Sequence, residues 1–222
     1  MKHVTEKQRR QLVGRLLKTA THLGAILPLA LLFWDYQQSN LGADPVREIT
    51  LWLGKSTLIL LMLTLAVTPV QIVLGIKQIG PLRRLLGLYS FLHLCLHLLS
   101  FIWLDYLFEW SFIFDAIIDQ KYVLVGFTAF LLMLPLALTS TNWSMRRLGK
   151  KWKQLHRLSY VAGVLAVVHF LWLVKNVYTE PLIYGAILLL LLLVRNRSVK
   201  QRVLGWRRKV KRARVGVTTS TR

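Results

Sequence analysis

The chain has one cysteine, Cys95, in 222 residues. A lone cysteine excludes an intramolecular disulfide, and it excludes an iron-sulfur cluster held by four thiolates of this chain. Acidic side chains are also scarce: 9 Asp and Glu stand against 30 Lys and Arg, for a formal net charge of +21. No carboxylate lies near His93 and His97 in sequence at their depth, which leaves a zinc ion there without an acidic ligand.

Apolar residues, by contrast, are abundant. They make up 55% of the chain, and the mean hydropathy is +0.47, which points away from a soluble globular domain and toward a polytopic membrane protein. Six apolar runs cover roughly 16–34, 51–73, 85–108, 122–139, 158–174 and 182–195. Most approach the length of about 20 residues that spans hydrocarbon as a helix, and the last is the shortest. The expected fold is an all-α integral membrane protein with six transmembrane helices.

The charge of the chain is sorted along it. If alternate loops are assigned to opposite sides, one side holds every Lys and Arg except Arg47, Lys55, Lys121 and Lys175, and the other holds every acid except Glu6. Such a division predicts both termini on the cytoplasmic side of a bacterial inner membrane. The first run follows the basic stretch Lys7 to Lys18 but ends Leu32-Phe33-Trp34-Asp35 without a small-residue cleavage site, so it reads as a retained helix rather than a secretory signal. The segment 195–222 is strongly basic and free of acids, which fits anionic lipid headgroups and not nucleic acid. At about 28 residues it is too short for a nucleotide- or flavin-binding domain. Any dehydrogenase must therefore be another polypeptide.

These features divide the chain into a basic cytoplasmic N-terminus (1–15), a six-helix transmembrane domain (16–195) and a polybasic cytoplasmic tail (196–222). Pro28, Pro69 and Pro135 fall within or near the ends of the helices and read as kinks, since bundle neighbours can satisfy freed carbonyls. The segments 35–50, 109–121 and 175–181 read as short outer loops. No internal repeat is evident.

Histidines carry the chemistry. At about 1.5 Å per helical residue, His97 lies about 20 Å beyond the basic edge at Arg84, and His169 about 18 Å beyond that at Arg157. Ionisable side chains at such depth are costly and usually have a task. Two imidazoles at one level can hold a single heme iron from both faces. With no Cys-x-x-Cys-His motif, such a heme is non-covalent, of b type. His93, about 14 Å in, fits His169 less well, and a zinc clip of His93 with His97 lacks a third ligand. His156 stands at the cytoplasmic edge, thirteen residues before His169 and about 140° away around an ideal helix. A helix that starts after His156, irregular first turns, or service to different neighbours would each explain that offset. A second heme there could use His156, with His22 as the nearest imidazole by level. The basic residues Arg146, Arg147, Lys150, Lys151 and Lys153 read as topology determinants. A heme-free transporter or scaffold, with histidines as hydrogen-bonded core residues, is the alternative from another class.

The segment TSTNWSMRRLGKKWKQLHRLSYVAGVLAVVHFLWLVK (139–175), with LGADPV (41–46), LMLTLAVTP (61–69), RRLLGLYSFLHLCLH (83–97) and EPLIYGAILLLLLL (180–193), resembles the MsrQ (YedZ) family of heme-binding membrane subunits of the bacterial protein-methionine-sulfoxide reductase system. The resemblance runs from about residue 10 to 195. It implies a ferric-reductase-like transmembrane domain that moves electrons through heme b, with His97, His156 and His169 at the family's histidine positions and His93 as an extra. It also implies FMN, a periplasmic molybdopterin methionine-sulfoxide reductase subunit as partner, and the quinone pool or a cytosolic flavin reductase as electron donor. A quinol-oxidising cytochrome b serving another periplasmic acceptor is the nearest variant of this reading.

Overall fold

A computed structural model describes residues 5–207. His3 and the portion of the basic tail from 208 to 222 lie outside the described residues. Within them the chain is helical throughout: α1 (Glu6–Gln37), α2 (Pro45–Leu74), α3 (Leu82–Ser100), α4 (Trp110–Asp119), α5 (Lys121–Leu138), α6 (Asn142–Leu148), α7 (Lys150–Leu155), α8 (Leu158–Leu173), α9 (Thr179–Arg195) and, after a break at Asn196, α10 (Arg197–Arg207).

Five stretches are long and apolar enough to cross a membrane: α1, α2, the segment Lys77–Asp105 containing α3, α5, and the segment Lys150–Leu173 containing α8. A sixth exists if α9 and α10, which bend from each other by 73°, count as one span. Of the six expected spans five are thus present as such, and the short last apolar run ends at a bend, where Arg195, Arg197 and Lys200 follow. Large apolar residues such as Leu23, Phe33, Leu131, Leu189 and Leu190 are exposed on these helices, as expected where lipid rather than protein covers the surface.

Helix ends follow from local sequence. Thr5 and Gln8 form a reciprocal capping box at the start of α1, and Asp44 accepts a bond from the Arg47 amide while Pro45 occupies the first turn of α2. Gly75 ends α2 at φ 77°, a conformation that favours glycine. Pro28, Pro69 and Pro135 all lie inside continuous helices, as expected of bundle prolines.

The most buried helix is α2, which packs against α1, α3, α8 and α9. Its Leu58, Met62 and Leu65 form one apolar cluster with Phe170, Leu188 and Leu191, and its Leu61 forms another with Met133, Leu136 and Ala162. Two helix pairs have the closest association, α2 with α3 and α5 with α8. Each pair carries one of the deep histidines.

One part of the sequence reading changes. The segment 109–121, read as an outer loop, contains a helix: it holds α4, whose apolar residues Ile113 and Ala116 are buried while Asp115 and Asp119 are exposed. Amphipathic periodicity over one short helix is masked by the apolar runs on both sides. Just before it, α3 passes into a π-helical turn at Phe101–Asp105, and Leu107 and Phe108 take positive φ values of 47° and 64°.

Candidate functional site

His97 on α3 and His169 on α8 meet at the centre of the two helix pairs. Their ring centroids are 6.2 Å apart and their planes are inclined by 78°. His97 Nδ1 lies 2.9 Å from the Thr50 carbonyl of α2, and His169 Nδ1 lies 2.7 Å from the Tyr122 carbonyl of α5. A carbonyl can only accept, so each Nδ1 carries the proton and donates it. Each Nε2 then keeps its lone pair, and among the described residues neither Nε2 has a hydrogen-bond partner. Fixing a metal-binding imidazole through its other nitrogen is the usual way a protein sets tautomer and ring direction.

The spacing fits a shared metal. With a metal–imidazole nitrogen bond of about 2 Å and about 1.1 Å from nitrogen to ring centre, two rings on opposite sides of one metal ion stand about 6 Å apart. Among the described residues no group of three or more His, Cys, Asp or Glu could hold a metal ion. Two imidazoles alone suit a metal whose remaining positions are filled by its own macrocycle.

A repeated arrangement underlies this pair, although none is evident in the sequence. In both halves the histidine lies 47 residues beyond the carbonyl it binds, and a helical glycine lies four residues beyond that carbonyl: Thr50, Gly54 and His97 in one half, Tyr122, Gly126 and His169 in the other. The same displacement carries Arg84 onto His156. Apolar side chains differ between the halves, which hides the relation from composition and hydropathy.

His93 takes no part in the pair. It is fully buried, with Nδ1 2.7 Å from Ser56 Oγ and Nε2 3.0 Å from the Ala25 carbonyl. Both ring nitrogens are engaged, and the side chain joins α3 to α1 and α2. The zinc clip is thereby unsupported, because His93 turns away to its own partners.

His156 stands apart from His97 and His169, in the turn between α7 and α8, so α8 starts after it. This explains the angular offset read from the sequence. Its ring stacks on Trp152 at 3.8 Å, its Nδ1 is 3.1 Å from the Trp152 carbonyl, and its Nε2 is 3.4 Å from Ser140 Oγ. His22 does not join it. That ring lies 2.7 Å from the Tyr89 hydroxyl. Arg84, the counterpart of His156, donates to Asn142 Oδ1 at 2.6 Å.

Sequence reasoning missed Thr50, Gly54, Tyr122 and Gly126, although equal spacing of a Gly–His pair in two apolar runs was available as a signal. It also missed Arg195, half-buried at the C-terminal end of α9, which donates to the Tyr160 hydroxyl and, at 2.6 Å, to the Leu65 carbonyl. At the opposite end, Asp105, Glu109, Asp115 and Asp119 line an open groove of about 550 Å³ with Tyr106 and Phe112.

Comparison with known proteins identifies the family of the chain. Residues 52–167 match the family model described as ferric reductase like transmembrane component. The protein-methionine-sulfoxide reductase heme-binding subunit MsrQ of Xanthomonas campestris pv. campestris (strain B100) is 48% identical over 181 residues, 79% of this chain and 83% of the relative. The subunit of the same name from Xanthomonas axonopodis pv. citri is 46% identical over the same extent, and that from Rhodospirillum rubrum is 44% identical over 182 residues, 82% and 88% of the two chains. No solved structure matches. With the family model spanning more than half of the chain and these relatives covered over most of their length, the chain belongs to the MsrQ family of multi-pass, ferric-reductase-like transmembrane proteins.

Proposed function

We propose that this chain holds heme b between His97 and His169 and serves as the electron-carrying membrane subunit of a protein-methionine-sulfoxide reductase system. The observation that carries the reading is the pair itself: two deep imidazoles, 6.2 Å apart, each tied by Nδ1 to a backbone carbonyl and each with an Nε2 that bonds none of the described residues. The name of the relatives, heme-binding subunit, supports the same cofactor. A heme bound there would be held by His97 and His169 and would supply one-electron chemistry.

The chain's own residues suit transfer rather than transformation. His97 and His169 lie toward the side that carries almost all of the acids, and the connections on that side are short, with one surface helix, α4, and no enclosed substrate chamber among the described residues. Methionine sulfoxide is therefore reduced elsewhere, by a periplasmic molybdopterin subunit that receives electrons from this one. The Lys/Arg distribution supports a topology with both termini in the cytoplasm, and so a location in the bacterial inner membrane. Electrons enter from the quinone pool or a cytosolic flavin reductase.

His156 belongs to the entry side. Stacked on Trp152 and only distantly bonded to Ser140, it keeps an imidazole available to a cofactor at the inner edge, whether a second heme or the FMN that the family resemblance implies. Its counterpart is Arg84 rather than a histidine, which favours one bis-histidine heme per chain.

Reconstitution tests the function. With the protein in vesicles, a reduced quinol or flavin reductase on the inner side and the molybdoenzyme outside, sulfoxide reduction is expected to need this chain. Unchanged turnover after replacement of both His97 and His169 by Ala would contradict the proposed path.

A further inference from the structure

We propose that Gly54 and Gly126 are positioning residues that admit the two imidazoles to their carbonyls and hold the ring planes nearly perpendicular. This rests on the reading of His97 and His169 as heme ligands and adds how their orientation is set.

Glycine disfavours a helix relative to alanine, so its presence inside both α2 and α5 calls for a steric reason. The reason is visible in each half. A helical carbonyl at position i already accepts from the amide at i+4, and it has a second lone pair. Residues i and i+4 share a face, so a side chain at i+4 stands where a ring must approach to use that lone pair. Thr50 and Tyr122 are the two carbonyls, and Gly54 and Gly126 occupy the two i+4 positions.

Contact distances make the point quantitative. A Cβ at Gly126 would lie 2.7 Å from His169 Nδ1 and 2.8 Å from Cε1, closer than real Cβ atoms come, so the ring would have to move and its bond to Tyr122 with it. A Cβ at Gly54 would lie 3.1 Å from His97 Cε1 and 3.3 Å from Nδ1, which asks for a smaller shift. His97 is the more firmly framed of the two. Thr50 Oγ1 donates to Ser100 Oγ at 3.0 Å, and Ser100 Oγ to the His97 carbonyl at 2.8 Å. Among the described residues no other helical glycine meets a histidine: a Cβ at Gly87 comes no nearer than 3.5 Å to Thr64 and one at Gly185 no nearer than 3.5 Å to Val167, while one at Gly163 would meet only the apolar tip of Leu65, at 3.2 Å.

Ring orientation has a readable consequence. Perpendicular axial imidazoles leave the iron d orbitals of ferric low-spin heme nearly degenerate, which gives one large, strongly anisotropic electron paramagnetic resonance feature. Near-parallel rings give a rhombic three-component spectrum instead. Ligand orientation and hydrogen bonding are also levers on the reduction potential.

Low-temperature paramagnetic resonance and redox titration of the purified full-length protein test the proposal. The unsubstituted protein is expected to show the single large-anisotropy signal. Gly126→Ala should shift it toward the rhombic pattern or abolish the low-spin signal and move the potential. Gly54→Ala should shift it less, and Gly87→Ala and Gly185→Ala should superimpose on the parent. A rhombic parent spectrum, or parent-like spectra and potentials in both Gly54→Ala and Gly126→Ala, would overturn the proposal. Should Gly126→Ala fail to accumulate, the parent spectrum and Gly54→Ala decide it alone. Absence of any heme absorbance in the parent would instead remove the underlying ligand reading, whereas a heme protein with unmoved spectra would remove only the role of the glycines.

Discussion

His97 and His169 are 72 residues apart in sequence, yet their rings stand 6.2 Å apart, each bonded through Nδ1 to a carbonyl 47 residues upstream. The two halves of the bundle thus converge on one point by the same local geometry. A site built in this way depends on helix register, since one residue of slippage rotates a side chain by about 100° and breaks the match.

His93 gives the clearest contrast with that pair. It has partners on both nitrogens and is fully buried, so its loss removes a bond from Ser56 and opens a space between α1, α2 and α3. His93→Ala is expected to keep the heme spectrum while lowering stability by about 2 kcal/mol. The check is heme absorbance together with the thermal midpoint in detergent. Loss of the spectrum from a fully folded His93→Ala protein would assign His93 to the ligand set.

Much of this arrangement was legible in sequence. The depth of His97 and His169 follows from counting helical rises from the basic edges, and the structure brings these two residues together. Apolar length located the helices, because backbone in hydrocarbon must satisfy itself. What escaped was what depth and hydropathy do not encode. The amphipathic α4 is hidden beside longer apolar runs, and the bend after Arg195 depends on where the chain turns along the surface. Gly54 and Gly126 were overlooked because their role lies in a contact with a ring on another helix. His156 lies in the turn before α8, and its companions there are Trp152 and Ser140 instead of His22.

Topology is open to a direct check. Reporter fusions at Gly42 and Asp115 are expected to report the periplasmic side and a fusion at the C-terminus the cytoplasm, from the one-sided distribution of Lys and Arg. A C-terminal reporter active only outside would reverse the proposed direction of electron flow.

The outer groove predicts salt sensitivity. Asp105, Glu109, Asp115 and Asp119 cluster on the side expected to meet the partner, and steering by such charges is screened beyond about 10 Å at 0.1 M salt. Reduction of the molybdoenzyme should therefore slow as salt rises, and Asp115→Asn with Asp119→Asn should lower the rate several-fold at low salt and little at high salt. Stopped-flow kinetics across ionic strength would show this. A rate independent of salt in both proteins would separate the acidic groove from docking.

The most direct test is the absorbance spectrum of the purified protein, oxidised and dithionite-reduced, beside His97→Ala and His169→Ala. The ligand pair predicts a low-spin b-type spectrum in the parent and its loss or conversion to a high-spin form in each variant, with His156→Ala retaining the low-spin signal. A low-spin spectrum unchanged by either the His97 or the His169 substitution would contradict it.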